Sequence, residues 1–222
     1  MDIIRTLIDF ALHLDKHLTQ LISSVGIWTY VILFGIIFCE TGLVVTPFLP
    51  GDSLLFIAGT LASTGSLQII PLYLILLAGA ILGDTANYWI GHRMGEHVYR
   101  VKRLPLINKE NLDKTHHFYQ KHGGKTIIIA RFIPIIRTFA PFVAGVGKME
   151  YSRFLLFNVI GGFAWVTLFT FGGYFFGNIP YVKHNYEKVL ILIIFLSLLP
   201  PLIEFVKHKM SKTQTPAEIA KE

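Results

Sequence analysis

Four ionisable residues stand within the most apolar parts of this chain: Glu40 and Asp52 in one segment, Arg131 and Arg137 in another. Two carboxylates can carry protons, and two guanidinium groups can grip an oxyanion such as phosphate through forked hydrogen bonds. In hydrocarbon each charge costs about 2.5 to 3.5 kcal/mol, and about 10 kcal/mol together rivals the stability of a whole domain. They must therefore pair, face water or bind a ligand. Salt bridges that merely lock two elements together are the plain alternative. Arg131 and Arg137 are six residues apart, which is not a same-face helical spacing, so the intervening Pro134 must redirect the chain if both serve one site. Asp52 has a second reading, since it follows Gly51 and precedes an apolar run, as an N-cap does. A helix starting at that depth also aims free amides and its positive end at any nearby anion.

The elements that carry these residues are membrane elements. Of 222 residues, 53% are hydrophobic, and the mean hydropathy is +0.55, too apolar for an ordinary soluble domain. The apolar residues fall in blocks at 28–38, 69–82, 126–146, 154–176 and 189–205. Segments 69–90, 154–176 and 189–206 read as crossings, the last bent at Pro200 and Pro201. Segment 28–62 instead forms two short arms joined at "TPFLPGD", with Pro47, Pro50 and Gly51 breaking the helix. Segment 126–149 repeats the design with breaks at Pro134 and Pro141. Broken backbone at membrane depth is tolerated only against protein or a wet cavity, so both read as re-entrant hairpins.

The formal net charge is +6, but no aromatic-basic motif or zinc spacing accompanies it, and no nucleic acid is expected. Lys and Arg concentrate in the 91–125 loop and in the tail, which the positive-inside rule puts in the cytoplasm. Connection 178–188, with only Lys183 and Lys188, suits the outer side. The single Cys39 excludes an internal disulfide and a cysteine-based zinc site, and reads as a packing residue. Residues 1–24 form an amphipathic interfacial helix without a cleavage site. His13 and His17 within it lack a carboxylate partner, so no metal is expected there. Residue 1 lies outside if the first hairpin returns to its own side, and inside if 28–38 crosses.

Shifting the chain by 86 residues places "IAG" (57–59) on "VAG" (143–145) and "YWIG" (88–91) on "YFFG" (174–177). Each unit is then a hairpin plus one crossing, and an odd number of crossings inverts the next unit. Inverted repeats with broken helices are a recurring transporter plan, with the substrate site where the breaks meet. Asp84 and Tyr88 in "GDTANYWIG" read as a polar packing element near the interface, and Gly161, Gly162 and Trp165 as close helix packing.

The segments "FCETGLVVTPFLPGDSLLFIAG", "GDTANYWIG", "HGGKTIIIARFIPIIRTFAPFVAGVGKM" and "NVIGGFAWV" together resemble the DedA family of bacterial inner-membrane proteins, related to the VTT or SNARE-associated group, over residues 25–206. The resemblance implies an inverted-repeat, re-entrant membrane protein tied to envelope maintenance and the proton motive force. It also implies transfer of polyprenyl phosphate carriers, such as undecaprenyl phosphate, or other phospholipids across the bilayer. The family's functional acids match Glu40 and Asp52, and its functional arginines match Arg131 and Arg137.

Other chemistries fit less well. "GDSL" (51–54) with Asp113 and His116 mimics a hydrolase signature, but that triad is built on a soluble α/β sheet. A lipid phosphatase would need a placed nucleophile, and no Ser-Gly-His element occurs. His116, His117 and His122 read as a solvated cytoplasmic face. A proton-coupled ion antiporter, with Glu40 or Asp52 as the proton carrier, is the non-enzymatic rival.

The expectation is an all-α integral membrane protein of the inner membrane. It comprises an N-terminal helix (1–24), repeat one (26–91), a cytoplasmic loop (92–123), repeat two (124–177), a final helix (189–206) and a basic tail (207–222). Its expected role is proton-coupled flipping of a lipid phosphate, without catalysis or a cofactor. Glu40 and Asp52 couple protons, Arg131 and Arg137 bind phosphate, and Asp84, Tyr88 and Trp165 support them. Lipids and protons are the expected partners, and a homo-oligomer is compatible with the sequence.

Overall fold

A computed structural model describes residues 24–43, 51–94, 119, 122–177, 179–180 and 182. Segment 1–23, Pro47 and Pro50, residues 95–118, the final helix and the tail lie outside the described residues. The described elements are helices: α1 (Trp28–Gly42), α2 (Gly51–Ser63), α3 (Ile69–Met94), α4 (Thr126–Ala130), α5 (Pro134–Val146) and α6 (Tyr151–Phe176), with a 3-10 turn at Gly123–Lys125 before α4. No strand occurs among the described residues.

Helices α3 and α6 are each 26 residues long and apolar enough to cross a membrane, reaching about 39 Å at 1.5 Å per residue. Their faces are inside out relative to a soluble protein. The buried side of α3 carries Gly79, Gly83, Asp84, Asn87 and Gly91, and that of α6 carries Asn158, Gly161, Gly162, Thr170 and Gly173. Ile70, Leu74, Leu82, Leu156, Phe163, Leu168 and Phe175 point outward and are exposed. Apolar side chains outside and small or polar ones within is the pattern of helices solvated by lipid.

The shorter helices α1 (15 residues), α2 and α5 (13 each) reach only about 20 Å, short of a hydrocarbon core of about 30 Å. α4 and α5 are separated by a turn at Arg131–Ile133, and Pro134 opens α5 at the first helical position, where a missing N–H costs nothing. Pro141 was expected to break the chain as well, but it lies inside continuous α5. Pro141 has no N–H for the Arg137 carbonyl four residues back, and the next carbonyl, that of Thr138, accepts a hydrogen bond from Asn87 Nδ2 of a neighbouring helix at 2.8 Å.

The packing is reciprocal. α1 lies along α3 and α4 along α6, while α2 packs on α6 and α5 on α3. Side chain-free surfaces bring the backbones together: a Cβ on Gly59 would strike the Thr170 carbonyl and one on Gly145 the Tyr88 carbonyl. Likewise a Cβ on Gly173 would strike the Phe56 carbonyl and one on Gly91 the Phe142 carbonyl. In these contacts Gly59 and Phe56 correspond to Gly145 and Phe142 at the 86-residue shift, but Tyr88 and Gly91 correspond to Thr170 and Gly173, a shift of 82. The sequence alignment of "YWIG" on "YFFG" is therefore one helical turn out of register. A shift of about four residues keeps the same face of a helix toward its partner, so the local pattern alone cannot reveal it.

Candidate functional site

The site begins with two close approaches. Gly42 at the end of α1 lies against Gly83 of α3, where a Cβ would stand 3.2 Å from the Gly83 carbonyl. That contact sets Glu40, in the last turn of α1, deep in the bundle. α2 starts beside it, and the Gly51 amide donates to Glu40 Oε1 at 3.2 Å. The carboxylate thus sits at the positive end of α2, where the helix leaves unpaired N–H groups.

Arg137, in the first turn of α5, reaches the same place. Its Nη2 donates to Glu40 Oε1 at 2.5 Å and its Nη1 to Asp52 Oδ1 at 2.8 Å. The guanidinium forks between two acids from two helices. Asp52 Oδ1 also accepts from the indole Nε1 of Trp165 at 2.8 Å. Residue exposure is 0% for Glu40 and 4% for Arg137, so neither charge is hydrated by bulk water.

Arg131 does not join this cluster. Its Nη2 donates to Asp84 Oδ2 at 2.7 Å and to Asn158 Oδ1 at 2.5 Å, and Asn158 Nδ2 donates onward to the Ile81 carbonyl at 3.0 Å. Gly161 and Gly162 of α6 give it room, since a Cβ on Gly161 would stand 3.2 Å from Arg131 Cδ. Asp84, read from sequence as a packing element near the interface, is instead a buried ion-pair partner. The reason is helix length: α3 runs on to Met94, which leaves Asp84 ten residues from its end, about 15 Å inside.

The ring of Trp165 joins the two pairs. It lies 5.8 Å from the Arg131 guanidinium carbon and 5.0 Å from that of Arg137, within cation–π range of both. Sequence reading named Trp165 as a packing and supporting residue without its partners, because an aromatic in an apolar helix carries no signal of them. Tyr88 stands apart, stacked on Phe154 at 4.5 Å with its hydroxyl donating to the Met149 carbonyl.

Three carboxylates and two guanidinium groups therefore meet in the interior: Glu40, Asp52 and Asp84 with Arg131 and Arg137. Fully ionised, the set carries one surplus negative charge, which a single proton cancels. Glu40 Oε2, Asp84 Oδ1, Arg131 Nε and Nη1, and Arg137 Nε have no hydrogen-bond partner among the described residues.

Comparison with known proteins agrees with this architecture. The VTT domain model matches residues 49–175. Protein DedA of Escherichia coli K12 is 56% identical over 211 residues, 94% of this chain and 96% of that protein. Inner membrane proteins YghB and YqjA of the same strain are 33% and 36% identical, over 86% and 76% of this chain and 83% and 76% of their own lengths. No solved structure matches.

Proposed function

The chain belongs to the DedA family of VTT-domain membrane proteins, and we propose that it flips a phosphate-bearing lipid, driven by the proton motive force. Undecaprenyl phosphate is the candidate that the family resemblance supplies, and the inner membrane, named for the relatives YghB and YqjA, is the location. The observation that carries the reading is the grip on Glu40. Its Oε1 accepts from both the Arg137 guanidinium and the Gly51 amide at the start of α2. Those are the donors a phosphate monoester would take, a cationic fork and a helix N-terminus. While the acids are ionised they compete for Arg137. Once protonated they release it, and the surplus negative charge is gone, so proton uptake prepares the site for an anion. Loss of the protons restores the competing carboxylates and expels it.

In this reading Arg137 makes the first contact with the headgroup and Arg131 is the second cation, in its own acid cradle. The two broken hairpins enter from opposite faces, and one half rocks on the other across the reciprocal packing. No residue is assigned a catalytic role. A proton-coupled ion antiporter without lipid movement is the second reading, favoured by the surplus carboxylate.

The test follows headgroup translocation of labelled undecaprenyl phosphate in proteoliposomes under imposed pH gradients. Flipping by wild type that is lost in Arg137→Ala supports the flippase. Absence of lipid movement in every sample, alongside cation or proton flux abolished by Glu40→Gln, selects the antiporter.

A further inference from the structure

We infer that Trp165 is a positioning residue that couples the Glu40–Arg137–Asp52 site to the Asp84–Arg131 pair, so that a change of partner or charge at one alters the other. Among the described residues the two sites share no direct hydrogen bond, and beyond the Coulomb interaction between their charges this indole is the side chain that contacts both. At one end its Nε1 donates to Asp52 Oδ1, the same oxygen that takes Arg137 Nη1. At the other its ring attracts Arg131 as well as Arg137.

An indole has one N–H and no acceptor. It can follow Asp52 only by moving, and it is fully buried, the largest such side chain among the described residues. When Arg137 leaves Asp52, or Asp52 Oδ1 gains a proton, the hydrogen bond that orients the indole changes, and the ring face offered to Arg131 changes with it. Gly161 and Gly162, one turn earlier on α6, hold Arg131 against the same helix, with Arg131 Nε 3.3 Å from a Cβ on Gly161 and Nη2 3.4 Å from a Cβ on Gly162. Arg131 lies in the space these glycines leave and is bonded to Asp84 and Asn158, so its adjustment is felt at those bonds. Among the described residues the titratable and charged groups of the two sites joined by this indole are Glu40 from α1, Asp52 from α2, Asp84 from α3, Arg131 from the turn after α4 and Arg137 from α5, while α6 contributes the neutral Asn158.

The inference deepens the transport reading, since it makes release of Arg137 felt at Arg131, but its test needs no transport. Trp28 and Trp89 are exposed and outside the site, and replacing both by Phe leaves Trp165 as the one tryptophan of the three. The full-length protein in lipid nanodiscs is then titrated with protons while Trp165 emission is followed. We expect a pH-dependent emission that vanishes in the Glu40→Gln/Asp52→Asn variant. We also expect Asn158→Ser, which loosens Arg131 without removing a charge, to move its midpoint by about fivefold or more in proton concentration, and Asp84→Asn, whose charge also acts on Glu40 and Arg137, to move it further. Should Asp84→Asn fail to fold, Asn158→Ser alone carries the test. An emission flat across pH, or a midpoint unmoved by a folded variant of either kind, overturns the coupling. Coupled emission without any lipid movement in proteoliposomes would instead retain the coupling and sink the flippase.

Discussion

At the scale of single residues, the interior charges divide into two sets with different consequences. Arg137 serves two acids, and removing it strands both. Breaking a buried ion pair by deleting one partner typically costs about 3 to 5 kcal/mol, whereas replacing every member by neutral groups costs far less. Arg137→Leu is therefore expected to lower the thermal unfolding temperature in detergent markedly, and Glu40→Gln/Asp52→Asn/Arg137→Leu to recover much of the loss. A triple variant as unstable as Arg137→Leu would contradict the pairing. Glu40, Asp52, Arg131 and Arg137 were legible in the sequence because a charge in an apolar run stands out against its surroundings. Asp84 was named only as a supporting residue, because its depth depends on where α3 ends, and the residues from Ile90 to Met94 look like loop until they continue a helix.

At the scale of elements, glycine-lined contacts hold the broken helices to the long ones. Gly91 meets the Phe142 carbonyl and Gly173 the Phe56 carbonyl at corresponding places. A Val at either position forces two backbones apart, an overpacking that costs about 1 to 3 kcal/mol or more. We expect Gly91→Val and Gly173→Val to destabilise similarly. Gly172→Ala, one residue away with nothing within 4 Å of its Cβ, should be neutral or stabilising by up to about 1 kcal/mol. Unequal effects at the corresponding glycines, read by thermal unfolding, would argue against the 82-residue correspondence of the long helices. Two long apolar helices and several shorter apolar ones were readable from hydropathy and prolines. Pro141 misled because proline marks a lost donor, and the Asn87 amide that bonds the Thr138 carbonyl comes from another helix.

At the scale of the whole molecule, neither half completes its own core. α2 of the first unit packs on α6 of the second, and α5 of the second on α3 of the first. Leu54, Leu55 and Ile57 of α2 share a buried cluster with Trp165 and Val166 of α6. Ile136, Ala140 and Ala144 of α5 share another with Tyr88 of α3 and Phe154 of α6. A chain divided between Met94 and Tyr119 should give two fragments that are each degraded when expressed alone and that accumulate together when co-expressed. A first fragment that accumulates alone as a stable monomer would mean that the halves do not depend on one another.

The sequence by itself determined that this is a helical membrane protein and that four charged residues, Glu40, Asp52, Arg131 and Arg137, stand in its apolar segments. Those properties follow from composition and local pattern, which the bilayer enforces segment by segment. Only the tertiary structure decided which charge meets which. Arg137 joins Glu40 and Asp52, Arg131 turns instead to Asp84 and Asn158, and Trp165 touches both arrangements. Partners of that kind come from helices far apart in the chain, and a one-turn difference in how two helices register is invisible to a pattern that repeats every turn.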